Sequence, residues 1–375
     1  MFSINHGYLV VLQCNSRNFD STLKNVSMKL KKRHIVLLVL LIAVIFVQLI
    51  SSWGRWYASD FYPVLSWLFT GVSAIVPFSI GDVFVIFSIL VIILLPIYSR
   101  CKYHMRWRNI LLHDVEYLLW VYVWFYIAWG LNYSQPHFMQ RAHIQPVRYT
   151  SALFARFMDR YITDLNNSYI ASLSVDKEAI NCEVPRIYQE ISDSLKIHTP
   201  QHAYLRPKAM LFSDFISSVG VSGYMGPFFC EFHLNRNLLS VDYPAVYAHE
   251  MAHLLGISSE AEANFYAYQV CLRSDNPSVR FSGYFFIMGY VLNNAKMVMT
   301  AEQFNRVKRL IRPEIKRLYI YHRYYWQALY SPTLGAVQNW LYELYLKGNK
   351  IENGQKNYSQ VVGLLISYER YKKLI

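Results

Sequence analysis

The sequence predicts a mainly α-helical membrane protein: three N-terminal transmembrane helices, then a mostly helical extracytoplasmic domain with a small β element. Three observations carry this expectation. The 375 residues combine 17% aromatic content and a positive mean hydropathy with only 16% charged residues, a balance unusual in soluble proteins. Long uncharged apolar runs are concentrated in the first third of the chain. From residue 134 onward the apolar runs are broken by charges, and the chain is long enough to build its own core.

The first run, "IVLLVLLIAVIFVQLISSW", covers residues 35–53 without a charge, close to the roughly 20 residues that cross a bilayer core. Basic "MKLKKRH" precedes it, and Trp53, Trp56 and Tyr57 suit the far interface. A second run, "VFVIFSILVIILLPIYS", follows Asp82, and a third, "VEYLLWVYVWFYIAWGLNY", occupies residues 115–133. Spans are expected near 35–53, 82–99 and 112–131. The segment "FYPVLSWLFTGVSAIVPFS", residues 61–79, is uncharged but carries Pro63, Gly71 and Pro77, and reads either as a span or as a surface segment. Loop charge favours three spans, because they keep both the basic N-terminus and the Arg100, Lys102, Arg106, Arg108 loop cytoplasmic. Residues 1–34 are then a basic cytoplasmic N-terminus, 35–133 the membrane region, and 134–375 a domain outside the bacterial cytoplasmic membrane. Residues 1–27 lack a cleavable-signal pattern. Either Met28 is the start, with "MKLKKRHIVLL" as a signal anchor, or a short cytoplasmic tail precedes it.

The run "FSGYFFIMGYVL", residues 281–292, is too short to span and is expected to pack inside the domain. Cys182, Cys230 and Cys271 show no metal-type spacing; they allow one disulfide and require none. Much of the net charge of +13 lies in the domain, notably at residues 306–323, which read as a solvated helical face or as a surface against anionic headgroups. No nucleic-acid recognition motif accompanies the charge, so the expected partners are the bilayer and a peptide or protein substrate.

The chemistry is concentrated in "DYPAVYAHEMAHLLG", where Asp242 and Pro244 start a helix and Gly256 stops it. His249 and His253 stand one turn apart on one face, so both imidazoles can reach one ion, and Glu250 can take a proton from a metal-bound water. Two glutamates follow. Ser259 is placed to cap the next helix, with Glu262 in the capping-box position, which leaves Glu260 as the preferred third ligand and Glu262 as its alternative. Asn264, one turn past Glu260, could hold the free nitrogen of a ligand histidine. Upstream, "GPFFCEFHLNRN" contains a short β-type run, either a core strand or an edge against which an extended peptide lies. Its Glu231 and His233 could reach the site or serve structure alone. Tyr284 could donate to a developing oxyanion.

HExxH followed by a glutamate and, four residues later, an asparagine resembles the gluzincin pattern of metallopeptidases, in which the glutamate is the third zinc ligand. "EAEAN" is also similar to the "ExxAD" block of membrane-bound CAAX-prenyl-protease and HtpX-like peptidases. The interval from His253 to Glu260 is shorter than in those families and nearer the glycine-turn spacing of metzincins, where Ser259 stands in place of the third histidine. From about residue 35, "PFSIGD", "WGLNY", "GVSGYMGPF", "HEMAH", "EAEANF" and "FSGY" resemble the blocks of an uncharacterised bacterial membrane protein family, a domain of unknown function with a zincin-like domain. The resemblance implies a zincin-like fold and brings no substrate.

Together these readings point to a membrane-anchored zinc hydrolase, a metallopeptidase acting on envelope or extracytoplasmic peptides. One zinc ion would be held by His249, His253 and Glu260, with Glu250 as general base. Two histidines and a carboxylate also suit iron or manganese. The alternative is a non-catalytic metal-binding envelope protein, whose closed site would draw a fourth ligand from Glu262 or His233.

Overall fold

The computed structural model describes residues 31–148, 150–200, 205–349 and 360–374. Residues 1–27 and the start at Met28 lie outside the described residues. By its internal contacts the chain divides between Ala43 and Val44, inside the first helix, and all packing described below belongs to the second unit.

The fold is mainly helical. In order, α1 is Lys32–Leu49, α2 Ser51–Trp56, α3 Tyr62–Ala74, α4 Ile80–Tyr103, α5 Trp107–Ala128, α6 Phe138–Arg141, α7 Ser151–Ser168 and α8 Lys177–Leu195. Then come β1 Lys208–Ala209, α9 Ser213–Ser218, β2 Gly223–Gly226 and β3 Glu231–Leu234. The chain continues through α10 Tyr243–Leu254, α11 Glu260–Leu272, α12 Pro277–Val298, α13 Ala301–Leu310, α14 Pro313–Leu329, α15 Pro332–Gly348 and α16 Val361–Tyr371.

Among the described residues three helices, α1, α4 and α5, are long and apolar enough to cross a membrane. The second and third spans run longer toward each other than the apolar runs alone suggested. Their connection shrinks to His104–Arg106, because His104 adopts a left-handed conformation that ends α4 and Arg106 already precedes the first residue of α5. The ambiguous segment 61–79 forms α3, entered through a π-helical turn at Tyr57–Phe61. Its polar side, Ser66, Thr70 and Ser73, is buried, and Thr70 Oγ1 donates to the Cys230 carbonyl. Val64, Trp67 and Ile75 on its other side are exposed.

The core is built around α10, α11 and α12, which pack on one another, with α7, α8 and α16 against them. The "FSGY" block lies in α12 for two physical reasons. Ser282 Oγ accepts from the Ala245 amide and so satisfies a first-turn donor of α10, while a Cβ on Gly283 would stand 2.5 Å from Cys271 Cβ, so only glycine lets α11 and α12 approach this closely. Phe281, Phe285, Ile287, Met288 and Val291 are buried, as the short run 281–292 suggested. The Asp242 carboxylate does not cap α10: it accepts from His322 Nε2 at 2.9 Å and Trp326 Nε1 at 3.3 Å, tying α14 to the start of that helix. Cys101, Cys182, Cys230 and Cys271 are all free thiols.

The small sheet has the order β1-β3-β2, with β1 parallel and β2 antiparallel to β3. It is seated on the first turn of α4. Glu231, at the start of β3, accepts from the Ile80 amide at 3.1 Å, the Gly81 amide at 2.8 Å and Ser79 Oγ at 3.4 Å. His233 Nε2 lies 2.8 Å from Ser79 Oγ, and Tyr224 of β2 donates to Asp82 Oδ1 at 2.7 Å. A carboxylate among free helix-start amides also meets the positive end of the helix dipole. Glu231→Ala is expected to cost about 2–3 kcal/mol, the range for a charged hydrogen-bond acceptor removed from buried donors. Thermal unfolding of the protein in nanodiscs reads this as a lowered midpoint, with Glu231→Gln falling between; a midpoint unchanged by Glu231→Ala would contradict it.

Candidate metal centre

Helix α10 carries both histidines. Alanine at 245, 248 and 252 keeps the helix slim where it packs, and Pro244 near its N-terminus supplies a preset φ without losing a needed donor. The chain turns at Gly256, whose φ of +92° is open to glycine and strained for other residues. The space a side chain there would need is also taken, by Asn132 Oδ1 at 3.1 Å and the Tyr62 ring. Asn132 comes from "WGLNY", and Trp129 of the same block donates its indole Nε1 to the His253 carbonyl at 2.9 Å. Ser259 then caps α11 by accepting from the Glu262 amide, so Glu260 enters in the first turn.

This hairpin of helices brings three ligand atoms together. His249 Nε2 and His253 Nε2 are 3.1 Å apart, and Glu260 Oε2 lies 3.2 Å from the first and 3.4 Å from the second. Among the described residues this is the group of histidine, cysteine and acidic side chains close enough to share one metal ion. His253 Nδ1 stands 2.6 Å from the Ile257 carbonyl. A carbonyl only accepts, so Nδ1 carries a hydrogen, and a ring that gives up its other proton turns the Nε2 lone pair toward the cluster. The other oxygen of Glu260, Oε1, accepts from the Tyr342 hydroxyl at 2.7 Å.

The electrostatics are those of a buried carboxylate held between imidazoles. Burial opposes ionisation of Glu260, yet the two histidines outweigh it and hold the carboxyl well below its ordinary range. Burial also lowers His253, but Glu260 beside it prevails and raises the ring to about 9. For Glu250 burial outweighs the attraction of the two histidines and pushes the carboxyl up to about 7. Gly223 of β2 lies against it: a Cβ there would come within 2.5 Å of Glu250 Oε1.

The other residues singled out in the sequence go elsewhere. Glu262 points away from the histidines. It accepts from Arg141 Nη2 at 2.8 Å, the Phe138 amide at 2.9 Å and His137, so its side chain anchors α6 and does not return to complete a capping box. Asn264 is buried near Tyr290, and the Ile257 carbonyl, not Asn264, holds the free nitrogen of His253. His249 Nδ1 has no hydrogen-bond partner among the described residues. Tyr284 sits on the far side of α12 with Tyr161 and Tyr268, and its charged neighbours are Asp164, Arg160 and Glu369. Glu231 and His233 are engaged at the start of α4. Sequence reasoning missed Gly223, Tyr342 and the Ile257 carbonyl. A glycine just ahead of the β-type run at 226–237 was a signal for the first; Tyr342 is 82 residues from Glu260 and gave none.

Arg141 is largely buried, donates to Tyr266 as well as to Glu262, and is the main compensation for that buried carboxylate. Arg141→Ala is expected to destabilise the protein by about 3–5 kcal/mol, because it strands a buried charge. Chemical denaturation of the purified protein measures this, and a loss below about 1 kcal/mol, the worth of an exposed pair, would refute the assignment.

No curated protein and no solved structure matches the chain. A family model described as "Protein of unknown function (DUF3810)" matches residues 57–366, a span that contains the sheet, the three-ligand cluster, Glu250 and Tyr342. The chain belongs to this DUF3810 family.

Proposed function

We propose that the protein is a membrane-anchored zinc-dependent hydrolase, a metallopeptidase whose domain works outside the cytoplasm. The observation that carries this reading is the triangle of ligand atoms with edges of 3.1, 3.2 and 3.4 Å. Bonds of about 2.0–2.1 Å in a tetrahedron put ligand atoms about 3.3 Å apart, so the donor set and its spacing fit zinc and leave a fourth position.

Two further observations favour an open site over a closed structural one. The side chains that could have supplied a fourth protein ligand are occupied, Glu262 by Arg141 and His233 by Ser79. Glu250 adjoins the cluster without joining it, as a general base does. When bound, zinc supplies a water acidified toward neutral pH and polarises a carbonyl.

The remaining roles belong to the chain. Ile257 fixes the tautomer and tilt of His253. Tyr342 holds Glu260 by its outer oxygen and leaves the inner one for the ion. Glu250 takes the proton of the attacking water on a carboxylate oxygen and delivers it to the leaving amine nitrogen. Strand β2, which among the described residues pairs on one side only, would offer its other edge to an extended peptide beside Glu250.

Elemental analysis of the purified protein is expected to find about one zinc per chain, retained by Glu250→Gln and lost by Glu260→Gln. With a fluorogenic peptide library, Glu250→Gln is expected to lose at least about a hundredfold in rate. Gly223→Ala is expected to keep its zinc and lose about a hundredfold as well, through displacement of Glu250. Metal-free parent protein, or full zinc in Glu260→Gln, would overturn the ligand set. A zinc-loaded parent that cleaves nothing would leave the non-catalytic metal-binding role in its place.

A further inference from the structure

We infer that the substrate is the membrane-proximal segment of a protein itself anchored in the bilayer, and that α15 is an interfacial helix lying in the membrane surface as the lipid-side cover of the site. The substrate part rests on the hydrolase reading above.

The cluster stands beside the start of α4 and the end of α5. Trp129, the residue directly after α5, donates to the His253 carbonyl, and Tyr224, next to Gly223, donates to Asp82 in the first turn of α4. The metal helix and the strand beside Glu250 are therefore each in contact with one end of a spanning helix. A bond cleaved there lies next to the headgroups.

Access is covered on one side by α15. The ligands and Glu250 are only 4–9% exposed, and Tyr342 on the inner side of α15 bonds Glu260. The outer side of α15 carries Leu334, Val337, Trp340, Leu341 and Leu344, each 41–63% exposed. Spacings of three, four and seven place these residues on one stripe, opposite buried Gly335 and Leu346. Water-facing helices have the reverse arrangement. Among the described residues α15 packs extensively on no other element, so none of the described elements covers the stripe.

Continuity with α5 identifies the occupant as lipid. Tyr126, in the last turn of α5, donates to Asn349 Oδ1 at the end of α15, and Tyr345 packs against Phe125 and meets the Tyr133 hydroxyl at 3.1 Å. The apolar stripe thus begins where the apolar surface of a spanning helix stops. An interfacial helix buries such a face about 5–10 Å into the boundary between headgroups and acyl chains. A peptide emerging from the bilayer beside α15 arrives level with Glu260.

The test uses the full chain in phosphatidylcholine–phosphatidylglycerol nanodiscs, with Cys14, Cys101 and Cys182 replaced by serine. An environment-sensitive fluorophore is attached to Val337→Cys or Leu341→Cys, with exposed Glu190→Cys as the aqueous control. Quenching by spin-labelled lipid and protection from iodide at the first two positions, with the opposite at the third, is the expected result. Iodide quenching at Val337→Cys and Leu341→Cys, or shielding from both quenchers, overturns the interfacial helix in favour of water or of a protein partner.

In the second arm one peptide library is offered to the zinc-loaded protein both free and fused to a single-span helix in the same nanodisc. Anchored peptides are expected to be cut at least about tenfold faster, beyond the gain shown when the same fusion is offered to a soluble protease of broad specificity. Equal rates on free and anchored peptides overturn the substrate inference and leave the hydrolase reading intact. Cleavage of neither overturns both, while the fluorophore result still decides the position of α15.

Discussion

The start of α4 sets the terms for everything built on it. A helix entering an apolar slab presents free amides at its first turn, and in low dielectric each must find an acceptor. Here Ser79 caps the Asp82 amide, and Glu231, from more than 140 residues away, takes the next donors. Because β3 begins at Glu231, this cap fixes the strand. The register then carries the constraint outward: Glu231 opposes Gly226, His233 opposes Tyr224, and Leu234 opposes Gly223, which places Gly223 against Glu250. The position of Glu250 beside the histidines thus traces back to the satisfaction of a helix terminus.

Two glutamates separated by one alanine do opposite work within this frame. Glu260 leaves the first turn of α11 toward the histidines, while Glu262, a further 200° around the helix, faces Arg141 and the start of α6. Both are buried, and each carboxyl is held below its ordinary range by partners on its own side, the histidines for Glu260 and Arg141 with His137 for Glu262. One short helix start therefore closes the ligand cluster and locks the connection that follows α5. The two sets of partners do not mix, because the capping geometry at Ser259 fixes the rotation of the first turn.

What could be read from the sequence was local. The pairing of His249 with His253, the stop at Gly256 and the cap at Ser259 all follow from intervals shorter than two turns, and capping logic chose Glu260 over Glu262. The same logic erred in detail, since the Glu262 side chain finds Arg141 a better partner than the Ser259 amide. The apolar runs located three helices but not their ends, because helix termini here are set by His104 and by side chains arriving from the sheet. Tyr284 was misplaced because a block of sequence says which residues pack closely without saying which face they share. Glu231, Tyr342 and Gly223 owe their places to contacts across long stretches of chain, for which a single sequence carries no period or spacing.

The tight turn at Gly256 also bears on the order of folding. His249, His253, Ile257 and Glu260 fall within twelve consecutive residues, so bringing them together closes only a short loop at little entropic cost. The seat of Glu231 on Gly81, by contrast, spans 150 residues of chain and the contact of Tyr342 with Glu260 spans 82. Contacts of short range form sooner than contacts of long range. The His249, His253 and Glu260 cluster is therefore the part of the site that costs least entropy to close, while strand β2 on one side and helix α15 on the other reach it only through contacts of long range.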